Sequence, residues 1–381
     1  MRTGHTLTAI DHGRLLLCGG QSFQPVTKGK GKNATTEILP VTMSDVHVFE
    51  MERNKWFQPI SCDDKSQQWP RQWHSATFLP QRQLLICFGG EAMNPTTGRI
   101  TTSDKNNLMV LDTEILLWYP PSASGDLPSG RSGHTATLLE NNNELVIFGG
   151  SKSNKFLNSV SVLDTTSWIW TTPKIQGVAP KARSYHSATA VKPMTTKAEG
   201  SDADATHVRQ RIVIFGGNDQ DVSFATVHVL EKMDTPKEEA TWKWFHPTVS
   251  GTVPSARTGH SATLMNDGKT ICIYGGWDPN QDDDESNQDD GWYGDSFLLD
   301  TETWTWKRSD SVPVFMGHSL NASQGTNGGP ARAGHGAVLN SFTNGSGNSK
   351  GARASNEILI FGGRTAEGFE GDFQSMTVSE S

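Results

Sequence analysis

The sequence predicts an all-β chain of six four-stranded antiparallel sheets set like leaves around one axis. Three observations lead there. A phrase opening on Arg-x-x-His occurs six times; each copy runs into an apolar stretch that ends in paired glycines; and in five copies a further apolar stretch closes on an acidic residue and then Trp. The composition agrees. At 34% hydrophobic, with 38 glycines and 12 tryptophans in 381 residues, the chain suits many short strands joined by polar loops better than helices.

The phrase starts at Arg2–His5, Arg71–His74, Arg131–His134, Arg183–His186, Arg257–His260 and Arg332–His335. The first strand of each copy follows directly ("HTATLL", "HSATLM") and is short and rich in Ala, Ser and Thr, so it fits where sheets converge. The second strand is apolar throughout and is expected to be buried on both faces. It ends at Gly20, Gly90, Gly150, Gly217, Gly276 or Gly363 ("LLLCGG", "LVIFGG", "ILIFGG"). The third closes on Asp or Glu, whose carboxylate can bond turn amides, and the fourth carries Trp ("VSVLDTTSWIW", "FLLDTETWTW"). A fixed phrase separated by variable loops is the mark of a repeat architecture. Sheets that cannot bury both faces alone can do so when packed radially. The repeats run over about residues 1–70, 71–130, 131–182, 183–256, 257–331 and 332–381. Insertions at 194–210 and 340–357 read as disordered by composition.

On these residues the chain resembles the kelch-repeat family. The glycine pair after a buried strand, followed by a hydrophobic-Asp and a Trp, is that family's hallmark and covers essentially the whole sequence. The linkers "GDLPSGR", "GVAPKAR" and "GTVPSAR" look like the subgroup with G-x-x-P-x-x-R blade connections. The resemblance implies a six-bladed β-propeller. The sixth repeat departs from it: Trp168 follows Gly150 by 18 residues, whereas 18 residues after Gly363 is Ser381, the last residue. The sixth blade is therefore expected to be incomplete, either with "FQSMTVSE" as the last of three strands or because the sequence is a fragment, the reading favoured here.

Strand parity puts the linkers, the start of every repeat and the loops after each glycine pair on one face. Long irregular loops are expected there, at 21–42, 91–104 and 277–294, and such loops on a rigid scaffold are where binding usually sits. Arg2, Arg71, Arg131, Arg183, Arg257 and Arg332 would ring the mouth of the central channel on that face. A guanidinium fork suits carboxylates, so the ring would attract an acidic peptide. The competing reading is that these arginines bond backbone carbonyls or an acidic side chain nearby. Trp277, Trp292 and Tyr293 flank an acidic loop (Asp282, Asp283, Asp284, Asp289, Asp290) and are further candidates for partner contact. "TKGKGK" (Thr27–Lys32) reads as a flexible basic loop, too short and too poor in aromatics for nucleic acid.

His5, His74, His134, His186, His260 and His335 lie one per blade. Sixfold spacing cannot bring three or four of them to ~2 Å from one ion, so they are expected to be structural, with no metal and no cofactor. Trp118, Trp168, Trp170, Trp242, Trp244, Trp304 and Trp306 are expected to pack between blades. Cys18, Cys87 and Cys272 sit in apolar runs and read as buried reduced thiols of a cytoplasmic protein. The net charge of −8 argues against nucleic acid or an anionic membrane as partner. No apolar stretch approaches the ~18–20 residues of a membrane span, and the chain opens on repeat sequence, so no leader is expected.

The expected function is a non-enzymatic protein-interaction scaffold or adaptor. The resemblance also implies enzymes on the same scaffold. Copper-radical chemistry needs a Tyr–Cys pair, a second Tyr and two His, and the tyrosines here are Tyr119, Tyr185, Tyr274 and Tyr293, with Tyr274 in a buried run. A Glu-x-x-x-Asp-x-x-x-His ligand run, a Walker loop and H-E-x-x-H are absent. An isomerase similar to sialic acid epimerase, holding a sialate carboxylate with channel Arg and His, stands as the alternative.

Overall fold

Six sheets follow one another around an axis, the innermost strand of each packed beside that of the next, and the innermost strand of blade six packed beside that of blade one. The computed structural model describes residues 1–11, 13–29, 34–59, 69–102, 107–140, 143–197, 206–234, 240–281, 291–311, 313–315, 330–340 and 356–378. Blade three shows the pattern, its strands a to d running outward as Thr135–Leu138, Glu144–Phe148, Val160–Asp164 and Ile169–Thr171. In the c–d turn the Asp164 carboxylate accepts the N–H groups of Thr166 and Ser167 at 2.8 and 2.9 Å. Asp112 and Asp300 do the same in blades two and five. The core is six apolar clusters, one in each interface between neighbouring blades. The outer-strand Trp of one blade tilts against the strand-b aromatic of the blade before it: Trp170 on Phe88, Trp244 on Phe148, Trp306 on Phe215 and Trp56 on Phe361, at 5.1–5.4 Å between centroids. Trp242 is buried; Trp118, Trp168 and Trp304 are partly buried against these clusters. Cys18, Cys87 and Cys272 are free and buried, and Cys62 lies outside the described residues.

Backbone hydrogen bonds join every blade to the next. The second glycine of each pair donates its N–H to the carbonyl of the repeat arginine in the following blade, from Gly20 to Arg71 and onward round to Gly363 and Arg2, all at 2.8–2.9 Å. Both glycines have φ between 59° and 107°, which side chains adopt only at a cost. A Cβ on the first would stand 2.5–3.1 Å from the next blade's imidazole. That is why the pair is glycine in all six copies. Nearer the axis a second set closes on itself: Gly4, Trp73, Gly133, Tyr185, Gly259 and Gly334 each donate to the preceding blade's carbonyl at 2.8–3.1 Å. All six have φ of 55–65°. Trp73 and Tyr185 stand where the other repeats have glycine, and their rings meet edge to face at 4.8 Å across the axis. A 130 Å³ cavity adjoins them, walled by the six repeat histidines.

These histidines are buried. In five interfaces the imidazole Nε2 meets the hydroxyl that follows the previous blade's histidine, as His134 does with Ser75 and His260 with Ser187, at 2.9–3.3 Å. At the closing interface that residue is Gly336, and neither ring nitrogen of His5 meets a hydroxyl among the described residues. The cause is steric. A Cβ at position 336 would lie 2.5 Å from the Leu7 Cβ and 3.3 Å from the Leu7 backbone nitrogen. An alanine at position 7 would also have these atoms, so the close approach of the two strands, not the length of the Leu7 side chain, excludes a side chain there.

Blade six, expected to be incomplete, has four strands. Gly336–Leu339, Glu357–Phe361 and Phe373–Thr377 come from its own repeat, and Val314–Phe315 of the preceding linker takes the outer place. Elsewhere the linker runs parallel to strand d, as Ser124–Gly125 does along Ile169–Trp170. Here it keeps that direction, moves in by one strand and pairs directly with Gln374 and Ser375. Two further expectations need correction. The segments 21–42 and 91–104 contain paired strands: Gln21–Lys28 is in register with Thr35–Thr42, and Leu84–Met93 continues into a pairing with Ile100–Thr102. Of the insertion at 194–210, read as disordered, 194–197 and 206–210 lengthen the first hairpin of blade four, the strands Ser187–Lys197 and Thr206–Phe215 resuming their ladder after a register shift between Val191 and Met194, and 198–205 lie outside the described residues. Most of 340–357 lies outside the described residues. Among the described residues no helix is long and apolar enough to cross a membrane.

Two expectations follow. Gly336→Ser overpacks the closing interface and is expected to cost about 1–3 kcal/mol in denaturant unfolding. A Gly336→Ser variant that unfolds at the wild-type denaturant midpoint would contradict the steric account. Burial, followed by neighbouring guanidinium charge, pushes His5, His134 and His260 down to about 3. The folded state therefore holds them neutral, and their stabilisation is complete above the unfolded pKa of about 6.5 and is lost as pH falls toward 3. Each group contributes a slope of about 1.4 kcal/mol per pH unit within that window. Unfolding free energies measured from pH 7 to pH 4 should fall with the slope of at least these three protons.

Candidate functional site

The six repeat arginines lie at one end of the propeller, beside the glycine pairs, but they do not form an open ring. Arg71, Arg131, Arg183, Arg257 and Arg332 are buried, Arg257 to 0% exposure, and Arg2 is half-buried. Each NH1 donates to the carbonyl of the first glycine of its own blade, from Gly19 through Gly362; five of these bonds span 2.9–3.1 Å, and that of Arg71 to Gly89 is shorter. The residue just before strand c adds a second anchor in four blades. Asp45, Asp295 and Asp372 pair with Arg2, Arg257 and Arg332 at 2.8 Å, and Ser159 accepts from Arg131 at 3.1 Å. In blade four His228 Nε2 accepts from Arg183 at 3.2 Å. The Nε of Arg131, Arg183 and Arg257 bonds the linker carbonyl two residues back. The expectation that these forks face solvent is corrected by their surroundings: a glycine carbonyl with no side chain to screen it is the nearest acceptor, so the guanidinium turns inward and ties strand a, strand b and the linker together. The carboxyl of Asp45, bonded by His47 and Arg2, is held well below the usual carboxylate range.

Tyr293 belongs to the same interior. It is buried, with the Arg257 guanidinium 4.3 Å from its ring centre. Trp277 and Trp292 behave differently. Both are partly exposed and stack on one another at 5.5 Å and 21°, because their backbones bridge just after Gly276. Asp278 is buried, and Asp282, Asp283, Asp284, Asp289 and Asp290 lie outside the described residues. Of "TKGKGK", Thr27 and Lys28 are in the strand Gln21–Lys28, and Lys30 and Lys32 are outside the described residues.

A residue missed in the sequence joins the tryptophans to a second aromatic pair. Arg364 is exposed, and its guanidinium lies 5.9 Å from the Trp292 ring centre. It pairs across the short hairpin Arg364–Thr365/Gly368–Phe369 with Phe369, and Phe369 stacks at 4.7 Å on Phe23 of the blade-one hairpin. Phe23 is 49% exposed. A strip thus runs Trp277, Trp292, Arg364, Phe369, Phe23 over blades five, six and one. The signal was readable: the residue after each glycine pair is Gln21, Glu91, Ser151, Asn218, Trp277 or Arg364, and Arg364 is the one cation in that set. It has no carboxylate partner among the described residues. On blades two and three Ser132 donates to Glu91 at 2.6 Å, and burial raises the Glu91 carboxyl. Among the described residues no group of three or more His, Cys, Asp and Glu is placed to hold a metal ion.

Comparison with known proteins bears on what such a face does. The chain is 28% identical over 70% of its length to host cell factor 2 of Homo sapiens, of which it covers 32%. It is 26% identical over 72% of its length to kelch domain-containing protein 3 of Homo sapiens, covering 64% of that protein. It is 26% identical over 62% of its length to acyl-CoA-binding domain-containing protein 5 of Arabidopsis thaliana. The chain spans about a third or less of the first relatives it matches, the two Arabidopsis acyl-CoA-binding domain-containing proteins. A family model described as the KLHDC2/KLHL20/DRC7 kelch-repeats domain matches residues 82–196 and 192–326. With that match over more than half its length, and six blades joined by the same glycine–arginine bonds, the chain belongs to the kelch-repeat family.

Proposed function

We propose that this propeller is a non-enzymatic interaction scaffold that receives a protein partner on the face carrying the glycine-pair loops, and that the strip Trp277–Trp292–Arg364–Phe369–Phe23 is the centre of that contact. The single observation behind this reading is the strip itself. Aromatic residues and Arg dominate the energetically important parts of protein interfaces, and here Arg364 and Phe23 are exposed and the other three rings partly exposed, with Arg364, Phe369 and Phe23 on paired hairpins and Trp277 bridged to Trp292. Rigid presentation lowers the ordering cost of binding. The chemistry favours an acidic, extended segment. Arg364 offers a fork with its aromatic neighbour already in place, and the flanking rings give apolar side chains a surface on which to lie. The ring of repeat arginines is no part of this reading, since those guanidiniums are occupied.

The test separates the two sets of arginines. An acidic partner segment, captured from source cells and then prepared as a labelled peptide, should bind wild-type protein with an affinity that falls as salt rises. Arg364→Ala and Trp292→Ala should each weaken it by tenfold or more, about 1.4 kcal/mol, with the melting temperature unchanged. Arg257→Ala should instead lower stability by about 3 kcal/mol, because it leaves Asp295 and the Gly275 carbonyl without their donor. Binding that survives Arg364→Ala and is lost with Arg257→Ala in folded protein would overturn the assignment.

A further inference from the structure

Blade four differs from the others at the end opposite the glycine pairs. Its lengthened hairpin adds Met194 and Arg209 to a cleft of 450 Å³ shared with blade five and lined also by Arg211, Glu231, Lys243, Phe245, Glu302 and Trp304. That volume is in the range of small-ligand clefts, roughly 300–1,000 Å³. The ladder puts Arg211, Glu231 and Lys243 opposite one another on strands b, c and d. Glu231 is buried and lies at the centre of the charges: Lys243 Nζ is 2.9 Å and Arg209 Nε 3.7 Å from the same carboxylate oxygen. Arg211 spends one guanidinium nitrogen on the Thr301 carbonyl at 3.1 Å, while its buried Nε has no hydrogen-bond partner. Glu302 is committed to Lys269 at 2.7 Å. Among the described residues Arg209, Arg211 and Lys243 therefore surround the single Glu231 carboxylate, which is ion-paired to Lys243 and Arg209. Beside them Phe245, 41% exposed, and Trp304 meet at 6.0 Å, and the Arg211 guanidinium lies 5.8 Å from the Trp304 ring centre.

A structural role explains part of this. Arg82 of blade two makes the same kind of reach to the Thr165 carbonyl and lies near Trp168 of blade three, so the bond from Arg211 to Thr301 is a brace between blades. It does not explain why blade four adds Arg209, Lys243 and an exposed Phe245 around that brace. Burial lowers the Arg211 pKa, against the neighbouring Glu231 and Glu302 carboxylates, which act to raise it. An anion bound here would complete the guanidinium and ammonium contacts, and a flat ring joined to it would reach the aromatic side. We propose that this cleft is a second binding site, which takes a phosphate carried on an aromatic ring, with the phosphate among Arg209, Arg211 and Lys243 and the ring against Phe245 and Trp304. Dianionic phosphate is favoured over carboxylate because it can draw on two or three cationic donors at once. The site is on the opposite face from the proposed partner contact and does not depend on it.

Phosphotyrosine, tyrosine and inorganic phosphate, titrated into the full chain and followed by calorimetry and by magnetisation transfer to ring protons, test this directly. Phosphotyrosine is expected to bind saturably and at least about tenfold more tightly than either part alone. Arg209→Gln/Lys243→Gln should weaken it by about tenfold or more, and Phe245→Ala should weaken phosphotyrosine while leaving inorganic phosphate unchanged. Lys243 is exposed and Arg209 partly exposed, and a melting curve of each variant checks that it is folded. A tyrosine-phosphorylated peptide that binds more tightly than phenyl phosphate would assign the ring phosphate to a modified protein; equal affinity would assign it to a free metabolite. No saturable phosphotyrosine binding in the millimolar range, wild-type affinity equal for tyrosine and phosphotyrosine, or unchanged binding in the double variant would overturn the proposal.

Discussion

The bond from each second glycine to the next blade's arginine carbonyl is the constraint on which the rest of the molecule rests. It is made six times, including once across the seam between blades six and one, and it fixes what may stand nearby. Donor and acceptor meet only if the glycine pair takes a left-handed backbone, which excludes side chains and leaves the first glycine carbonyl bare. The bare carbonyl attracts the guanidinium. With the guanidinium buried, acidic or polar residues before strand c become useful as second anchors, and the histidine of the following blade can close over the glycine. Arg, His and the glycine pair are therefore one unit, and their repetition follows from a single joint used six times.

This unit was largely legible in the sequence, because the joint admits few residue types. The number of blades, the buried second strand, the Asp-closed turn and the Trp packing follow from spacing and burial alone. Where the arginines point was not legible. A guanidinium at the start of an inner strand satisfies a sequence argument equally well facing a ligand or facing a carbonyl, and only the position of the Gly275 or Gly149 oxygen decides between them. The order of the long loops was missed for a different reason. The Gln21–Lys28 and Thr35–Thr42 strands are polar and contain prolines, so they lack the apolar alternation by which strands are recognised. Strand pairing there follows from an anchored base instead, with Gln21 bridged to Thr3.

The candidate contact strip was half visible. Trp277 and Trp292 stand out in any reading, whereas Arg364 and Phe369 sit in an ordinary-looking "GGRTAEGFEGD". Their importance comes from the seam: a blade-six hairpin meets a blade-one hairpin although the two are more than 300 residues apart in sequence. Contacts of that kind cannot be read from local pattern. The same seam carries Leu7 and Gly336, which depart from the Ala and the Ser or Thr at the equivalent positions of the other repeats.

The Trp73–Tyr185 contact across the axis has a consequence for access. Four of the six innermost positions are glycine and would by themselves leave an open bore, but the two aromatic rings span it. Whatever enters that space therefore meets an indole and a phenol ring beside the six imidazoles, a wall with two flat apolar faces rather than a uniform ring of backbone.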